Sequence, residues 1–166
     1  MKRTSLGRVE CPVARALDEI GDWWSLLIIR DAFDGMRRFS EFQKSLGISK
    51  GILTARLKHL VAIDVLQTAP ISDEGGYQEY VLTKKGRDLF LVTVSLRQWA
   101  EDHCFGKTER RSTLMETASG KRVPRLALQG RDGKELDSSM TFVRKAADLD
   151  DSRAPRKAGV LRTAER

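Results

Sequence analysis

The chain is sparing with the residues that carry most covalent and metal chemistry. It has two cysteines, Cys11 and Cys104, and two histidines, His59 and His103, among 166 residues. Two cysteines are too few for a disulfide framework. Zinc sites take three or four ligands; with no C-x-x-C and no second cluster, Cys11, His103 and Cys104 are not expected to hold a metal, and no cofactor is expected. No apolar run approaches the roughly 20 residues of a membrane span, so no membrane partner is expected. The first twenty residues begin basic, but acids arrive before any apolar core, which argues against a signal peptide. A cytoplasmic location is the expectation. Also missing are G-x-S-x-G, a phosphate loop, paired carboxylates set on a helix face, and a Cys/His pair at workable spacing. An enzyme is therefore not expected.

What is present is an ordinary globular composition, 40% hydrophobic and 32% charged, with room for one domain and an appendage. The net charge of +7 is unevenly spread. Residues 1–106 hold 15 basic and 14 acidic residues, whereas residues 107–166 hold 15 basic and 9 acidic. Within the near-neutral first part, one local stretch is basic. Arg37, Arg38, Lys44, Lys50, Arg56 and Lys58 are accompanied there only by Glu41 and Asp64. Such a patch is often merely a solvated face, and it points to nucleic acid only if the structure beneath it fits.

That stretch reads as two helices and a tight turn. Ser40 and Gln43 have the S-x-x-Q spacing of a capping box, Phe39, Phe42 and Leu46 form an apolar row, and Gly47 permits a left-handed turn. Ser49 is the expected N-cap of the second helix, whose apolar row is Leu53, Leu57 and Leu60, with Ile52 alongside. The opposite face carries Lys50, Gly51, Thr54, Ala55 and Lys58. It is small, polar and basic, which suits a helix lying in a DNA major groove.

The rest of the chain frames this pair. Pro12 begins a helix behind Cys11, and Gly21 stops it. Asp22 caps a second, apolar helix, Trp23 to Phe33, expected to be central, with Gly35 beyond its end. After the helix pair, Val65–Ile71 and Tyr77–Leu82 are strand candidates joined by Ser-Asp-Glu-Gly-Gly, with Pro70 confined to an edge or strand end. Thr83 caps a long helix containing Gly86. Leu89, Val92, Leu96, Trp99 and His103 step along it by 3, 4, 3 and 4, the seam of a helix that pairs with another. A second copy of the chain is the expected partner. Beyond Gly106 the pattern weakens. Thr113–Thr117 and Val123–Leu128 are short strand candidates, Arg131–Lys134 a turn, and residues 148–166 have the composition of a disordered tail.

Helix, helix, helix-turn-helix, hairpin, long helix is the winged-helix order: mainly α, with a small β-hairpin wing and a short β-rich C-terminal extension. The residues resemble one family of that fold, the HxlR-type winged helix-turn-helix transcription regulators of bacteria. The resemblance is carried by CPVARALDEIGDWW, LLIIRDAFDGMRRFSEFQKSLGIS, ILTARLKHL, and EYVLTKKGRDLF followed by LRQWA, in order over about residues 8–105. It implies a DNA-binding and dimerisation domain over 8–106; the short β-hairpin-like extension over 107–147 and the disordered basic tail over 148–166 lie outside it and are read from the residues alone. It also implies a homodimer whose first and last helices pair, through Val13, Leu17 and the seam, on a palindromic operator in double-stranded DNA. By position Ser49, Lys50, Gly51, Thr54, Arg56 and Lys58 take the recognition-helix role. Arg38 and Lys44 are candidate phosphate contacts, and for Arg56, at the core edge, an internal ion pair competes with DNA. A small-molecule effector is an open expectation of the resemblance.

Two departures from the family pattern matter. Between Asp64 and Tyr80 there are four acids and no base, poor equipment for a phosphate backbone, so the basic stretch beyond Gly106 is expected to supply non-specific affinity instead. Asp64 also stands where the family usually has a glycine at a helix C′ position. Cys11 leaves two readings open. At a helix N-terminus near Arg8 and Arg15 it is a candidate thiolate, and some family members sense oxidants at this position. The reading preferred here is a small buried side chain that locks the first helix. Trp24 is read as a packing residue; for Trp23 packing is the preferred reading, with the lining of a ligand pocket or the dimer interface as the alternative.

Overall fold

In the computed structural model, which describes residues 5–70 and 78–146, most helix ends of the first hundred residues are set by local chemistry. α1 (Pro12–Ile20) has proline at its first position, and Gly21 N–H returns to Leu17 O at 3.0 Å. α2 (Trp23–Phe33) is capped by Asp22, whose Oδ1 accepts from Ser25 N at 3.0 Å. As expected of the central helix, α2 packs against α1, α3, α4, β2 and α6, and its Ile28 and Ile29 are fully buried.

α3 (Phe39–Leu46) starts one residue earlier than Ser40, and the expected box between Ser40 and Gln43 does not form. Glu41 does the capping instead, its Oε2 accepting from Arg37 N at 2.8 Å and Arg38 N at 2.9 Å. The reason is register. With Arg38 at the N-cap, Glu41 is at N3, from which a side chain reaches back to the free amides, while Ser40 lies too far inside. α4 (Lys50–Ala62) follows after Gly47, whose φ of 63° closes the turn, and Ser49 Oγ accepts from Ile52 N at 3.3 Å. Phe42, Leu53, Leu57, Leu60, Val65 and Leu66 complete the core with Ile28 and Ile29. Burying the three leucines of α4 favours this seating by roughly 1.5–3 kcal/mol each before entropy, enough to leave the polar face outward.

The end of α4 is a two-bond reversal, with Val65 N donating to Leu60 O at 2.9 Å and Asp64 N to Val61 O at 3.0 Å. That geometry needs a left-handed C′ residue, and Asp64, at φ 58°, is the sole non-glycine with positive φ among the described residues. β1 (Leu66–Pro70) and β2 (Gln78–Leu82) then pair antiparallel, Leu66 opposite Leu82 and Pro70 opposite Gln78. Pro70 takes the strand end, where its missing N–H is harmless. The Ser-Asp-Glu-Gly-Gly tip, with Ile71 and Tyr77, lies outside the described residues. Tyr80 N donates to Arg37 O at 2.8 Å and so ties β2 to the loop ahead of α3.

The long helix expected after Thr83 is two. α5 (Lys84–Arg87) is one turn, and α6 (Phe90–His103) restarts after Asp88 and Leu89. Thr83 Oγ1 both accepts from Gly86 N at 3.1 Å and donates to Asp64 O at 2.6 Å. The short turn is thereby fastened to the end of α4, and α6 sets off on its own course. Along α6, Val94 and Glu101 are buried, while Val92, Leu96 and Trp99 are exposed in the single chain, as are Val13 and Leu17 on α1. Leu89 departs from the expected seam: it is half-buried and packs against the core.

The chain divides into two compact units, residues 1–107 and 108–166. The described part of the second is hairpin-like but is built on isolated bridges, Met115 with Arg122 and Gln129 with Glu135. Gly120 and Gly133, both at positive φ, turn the two hairpins. The run Val123–Leu128 is not itself a strand; Leu128 instead accepts from Leu136 N at 2.7 Å across the second turn. Regular strands do not form because few apolar side chains there are covered, so alternation has no buried face to serve. A short 3-10 turn, Ser138–Met140, is capped by Asp137.

Candidate nucleic-acid interface

Three constraints from distant parts of the chain hold α3 and α4 in place. Ile48 in the turn is buried, Phe42 lies edge-on to Tyr80 of β2 at 6.4 Å between ring centres, and α4 packs along α2. The backbone amides of Arg38 and Arg37, with burial opposing them weakly, hold the Glu41 carboxyl below its ordinary range. It therefore stays ionised at the positive end of α3, where a negative charge is favoured.

With its leucine row turned inward, α4 presents Lys50, Gly51, Thr54, Ala55 and Lys58 outward, all exposed. A side chain at Gly51 would meet nothing within 4 Å. Glycine there is not a packing requirement; it leaves the surface low, so an incoming surface can approach the backbone. Ser49 is exposed and already engaged as the cap. Arg38 and Lys44 are exposed on the preceding turn and on α3, the same part of the chain.

Arg56 stands apart from these. It is half-buried, and its Nε lies 3.2 Å from Asp22 Oδ1, a charge pair without the alignment of a hydrogen bond. Arg37, ahead of α3, pairs at 3.6 Å with Glu79 of β2. One acid of the wing is therefore occupied by the chain itself. The described wing residues, Leu66–Pro70 and Gln78–Leu82, contain no lysine or arginine. Within the basic stretch beyond Gly106 the excess positive charge is unevenly spread. Residues 107–146 hold ten basic and five acidic residues, whereas 147–166 hold five and four. The basic segment is the hairpin extension, not the terminal tail, whose residues lie outside those described.

Cys11 corrects the reading preferred from sequence. It stands at the N-cap of α1 without a side-chain capping bond, and it is exposed. The Arg15 guanidinium is engaged with the backbone, Nε donating to Val9 O at 2.6 Å. Among the described residues of the single chain Cys11 is not covered, so a small side chain is not demanded there. Trp23 likewise is 72% exposed while Trp24 packs on the core, so only the second tryptophan is a packing residue in the single chain. His103 lies against Trp99, ring centres 5.2 Å apart, and no cluster of three metal-ligating side chains occurs among the described residues. No helix among the described residues is long and apolar enough to cross a membrane. Sequence reasoning identified Asp22 only as the cap of α2 and missed its pairing with Arg56; it also missed Glu41 as the cap of α3, although an acid at N3 is a legible signal.

Comparison with known proteins agrees with this geometry. The crystal structure of PA1607, a candidate transcription factor, matches with a TM-score of 0.81 and 51% identity over 85% of this chain and 99% of that one. That match runs beyond the first unit into the hairpin extension. An uncharacterised HTH-type transcriptional regulator of Mycobacterium tuberculosis is 43% identical over 91 residues, 55% of this chain and 58% of that protein. The chain thus spans little more than half the length of that relative. The redox regulator HypR in its oxidised form matches with a TM-score of 0.52 and 31% identity over 56% of this chain and 97% of that one. A model of the HxlR-like helix-turn-helix matches residues 19–108, just over half of the chain, and places the protein in the HxlR-like helix-turn-helix family.

Proposed function

We infer that the protein is a transcription regulator that binds duplex DNA through α4, working as a homodimer on a palindromic site. The observation that carries this reading is the outward face of α4. Lys50, Gly51, Thr54 and Lys58 are exposed there while Leu53, Leu57 and Leu60 on the opposite side are fully buried. Affinity comes from lysine and arginine on phosphates, Arg38 and Lys44 among them, and specificity from Lys50, Thr54 and Lys58 at base edges. The exposed row Val92, Leu96 and Trp99, with Val13 and Leu17, supports a second copy as partner; an apolar row of this kind is normally covered. The cytoplasm, on the nucleoid, is where such a protein works. Exposure of Cys11 and the likeness to the redox regulator HypR support a response to thiol oxidation, beside which a small-molecule effector is the other form regulation takes.

The deciding experiment is selection of duplexes from a random pool by the full-length protein. An enriched palindrome supports the regulator. The base-free wing favours a second reading, a winged-helix interaction module without specific DNA binding, and an unenriched pool would select it.

A further inference from the structure

α4 is fastened along one flank to the corner between α1 and α2, by contacts that no DNA role explains. His59 Nε2 lies 2.7 Å from Glu19 O, in the last turn of α1. A carbonyl oxygen can only accept, so the ring nitrogen carries the proton and donates. One helical turn earlier on the same flank, Arg56 pairs with Asp22 at 3.2 Å. Asp22 is itself held, because it caps α2 through Ser25 N at 3.0 Å. A third tie comes from α5: Lys85 Nζ donates to Glu19 Oε2 at 2.8 Å and to Ile63 O, at the end of α4, at 2.9 Å. The corner from Glu19 to Asp22 thus meets α4 at Arg56 and His59, and Lys85 bridges both. Each tie uses a group that would otherwise be left over: a terminal helix carbonyl of α1, one of α4, and a half-buried guanidinium.

We propose that Arg56 and His59 are positioning residues, which set the angle of the recognition helix against the α1–α2 corner, and that Arg56 makes no phosphate contact. The leucine row fixes which face of α4 is buried, but apolar contacts tolerate sliding and rotation. A directional hydrogen bond at His59 and a charge pair at Arg56 restrict that freedom. A helix entering a groove has to present its side chains within a fraction of an ångström, so loosening the latch lowers affinity without removing any group that touches DNA. The inference rests on the DNA-binding reading above.

The test separates the two ways of losing affinity. A residue on a phosphate contributes close to 0.9 to the slope of log affinity against log salt; a positioning residue contributes nothing to that slope. The probe is the duplex enriched by the full-length wild type. Asp22→Asn is the cleanest variant, since asparagine still caps α2. Asp22→Asn and Arg56→Gln should each bind about tenfold more weakly with an unchanged slope. Their combination should bind no worse than either alone. His59→Gln, which keeps a donor, should bind more tightly than His59→Leu. A slope lowered by about one in Arg56→Gln, an Asp22→Asn protein that binds like wild type, or losses that multiply in the double variant would each overturn the proposal. If the wild type enriches no duplex, the regulator reading fails instead, and the latch is read by amide exchange. Amides of α4 should then exchange faster in both single variants and no faster still in the double; unchanged exchange overturns it.

Discussion

A β-carbon placed on Gly86 would lie 2.2 Å from the carbonyl oxygen of Val65. The two residues join the only turn of α5 to the end of α4, and the carbonyl is backbone and cannot rotate away. Gly86→Ala should therefore destabilise the protein by about 2 kcal/mol or more, the cost of overpacking, although alanine in a helix is worth roughly 1 kcal/mol over glycine. Urea unfolding measures it; a midpoint at or above that of wild type would show that α5 can move off Val65 freely.

Asp64 presents the opposite case, a side chain where glycine is easier. Its φ of 58° carries a strain that glycine lacks, and its bonded groups, the N–H to Val61 and the carbonyl that receives Thr83 Oγ1, are backbone. Asp64→Gly should stabilise by about 0.5–1 kcal/mol, and Asp64→Val should destabilise, since a β-branched residue tolerates this region worst. A lower urea midpoint for Asp64→Gly would mean the carboxylate does more than the backbone bonds reveal.

The Glu41 cap has a pH signature. Its folded carboxyl titrates below the ordinary glutamate range because the Arg38 and Arg37 amides donate to it. The stability it contributes is present above the unfolded value, about 4.3, and is lost as pH falls through the lower folded value. Glu41→Gln keeps an acceptor but should lose this acid dependence. Thermal unfolding from neutral pH to pH 3 should show the two proteins converging as the pH drops; parallel curves would remove the cap from the account.

Charge in the hairpin extension should appear as salt dependence. Exchanging Lys121, Arg131 and Lys134 for serine in the full chain should flatten the slope of operator affinity against salt, by up to about 0.9 for each phosphate that one of these side chains neutralises. Specificity among duplexes should not change, because groups that touch only phosphate carry no sequence information. An unaltered slope would leave the extension without a DNA role.

The apolar row of α6 gives a prediction about assembly. Leu96→Glu places a charge on a surface that the homodimer reading buries, and sedimentation should then report half the mass of wild type. A wild-type protein that is already monomeric, or a variant that still pairs, would point to another partner for Val92, Leu96 and Trp99.

Most helix ends were legible because they obey rules that act over a few residues. Pro12 and Gly21 bound α1, Asp22 caps α2, Gly47 and Ser49 make the turn, and the leucine spacing of α4 settles which face is buried. The pairing of β1 with β2 was legible for the same reason. Tertiary structure alone decided the break between α5 and α6, because Gly86 is pressed on Val65 and Thr83 is bonded to Asp64. It also set Leu89 against the core, left Cys11 and Trp23 exposed, and drew Arg56 to Asp22. Each of those outcomes depends on what stands opposite a residue in space, and a one-dimensional pattern records the face a side chain takes but not the neighbour waiting there.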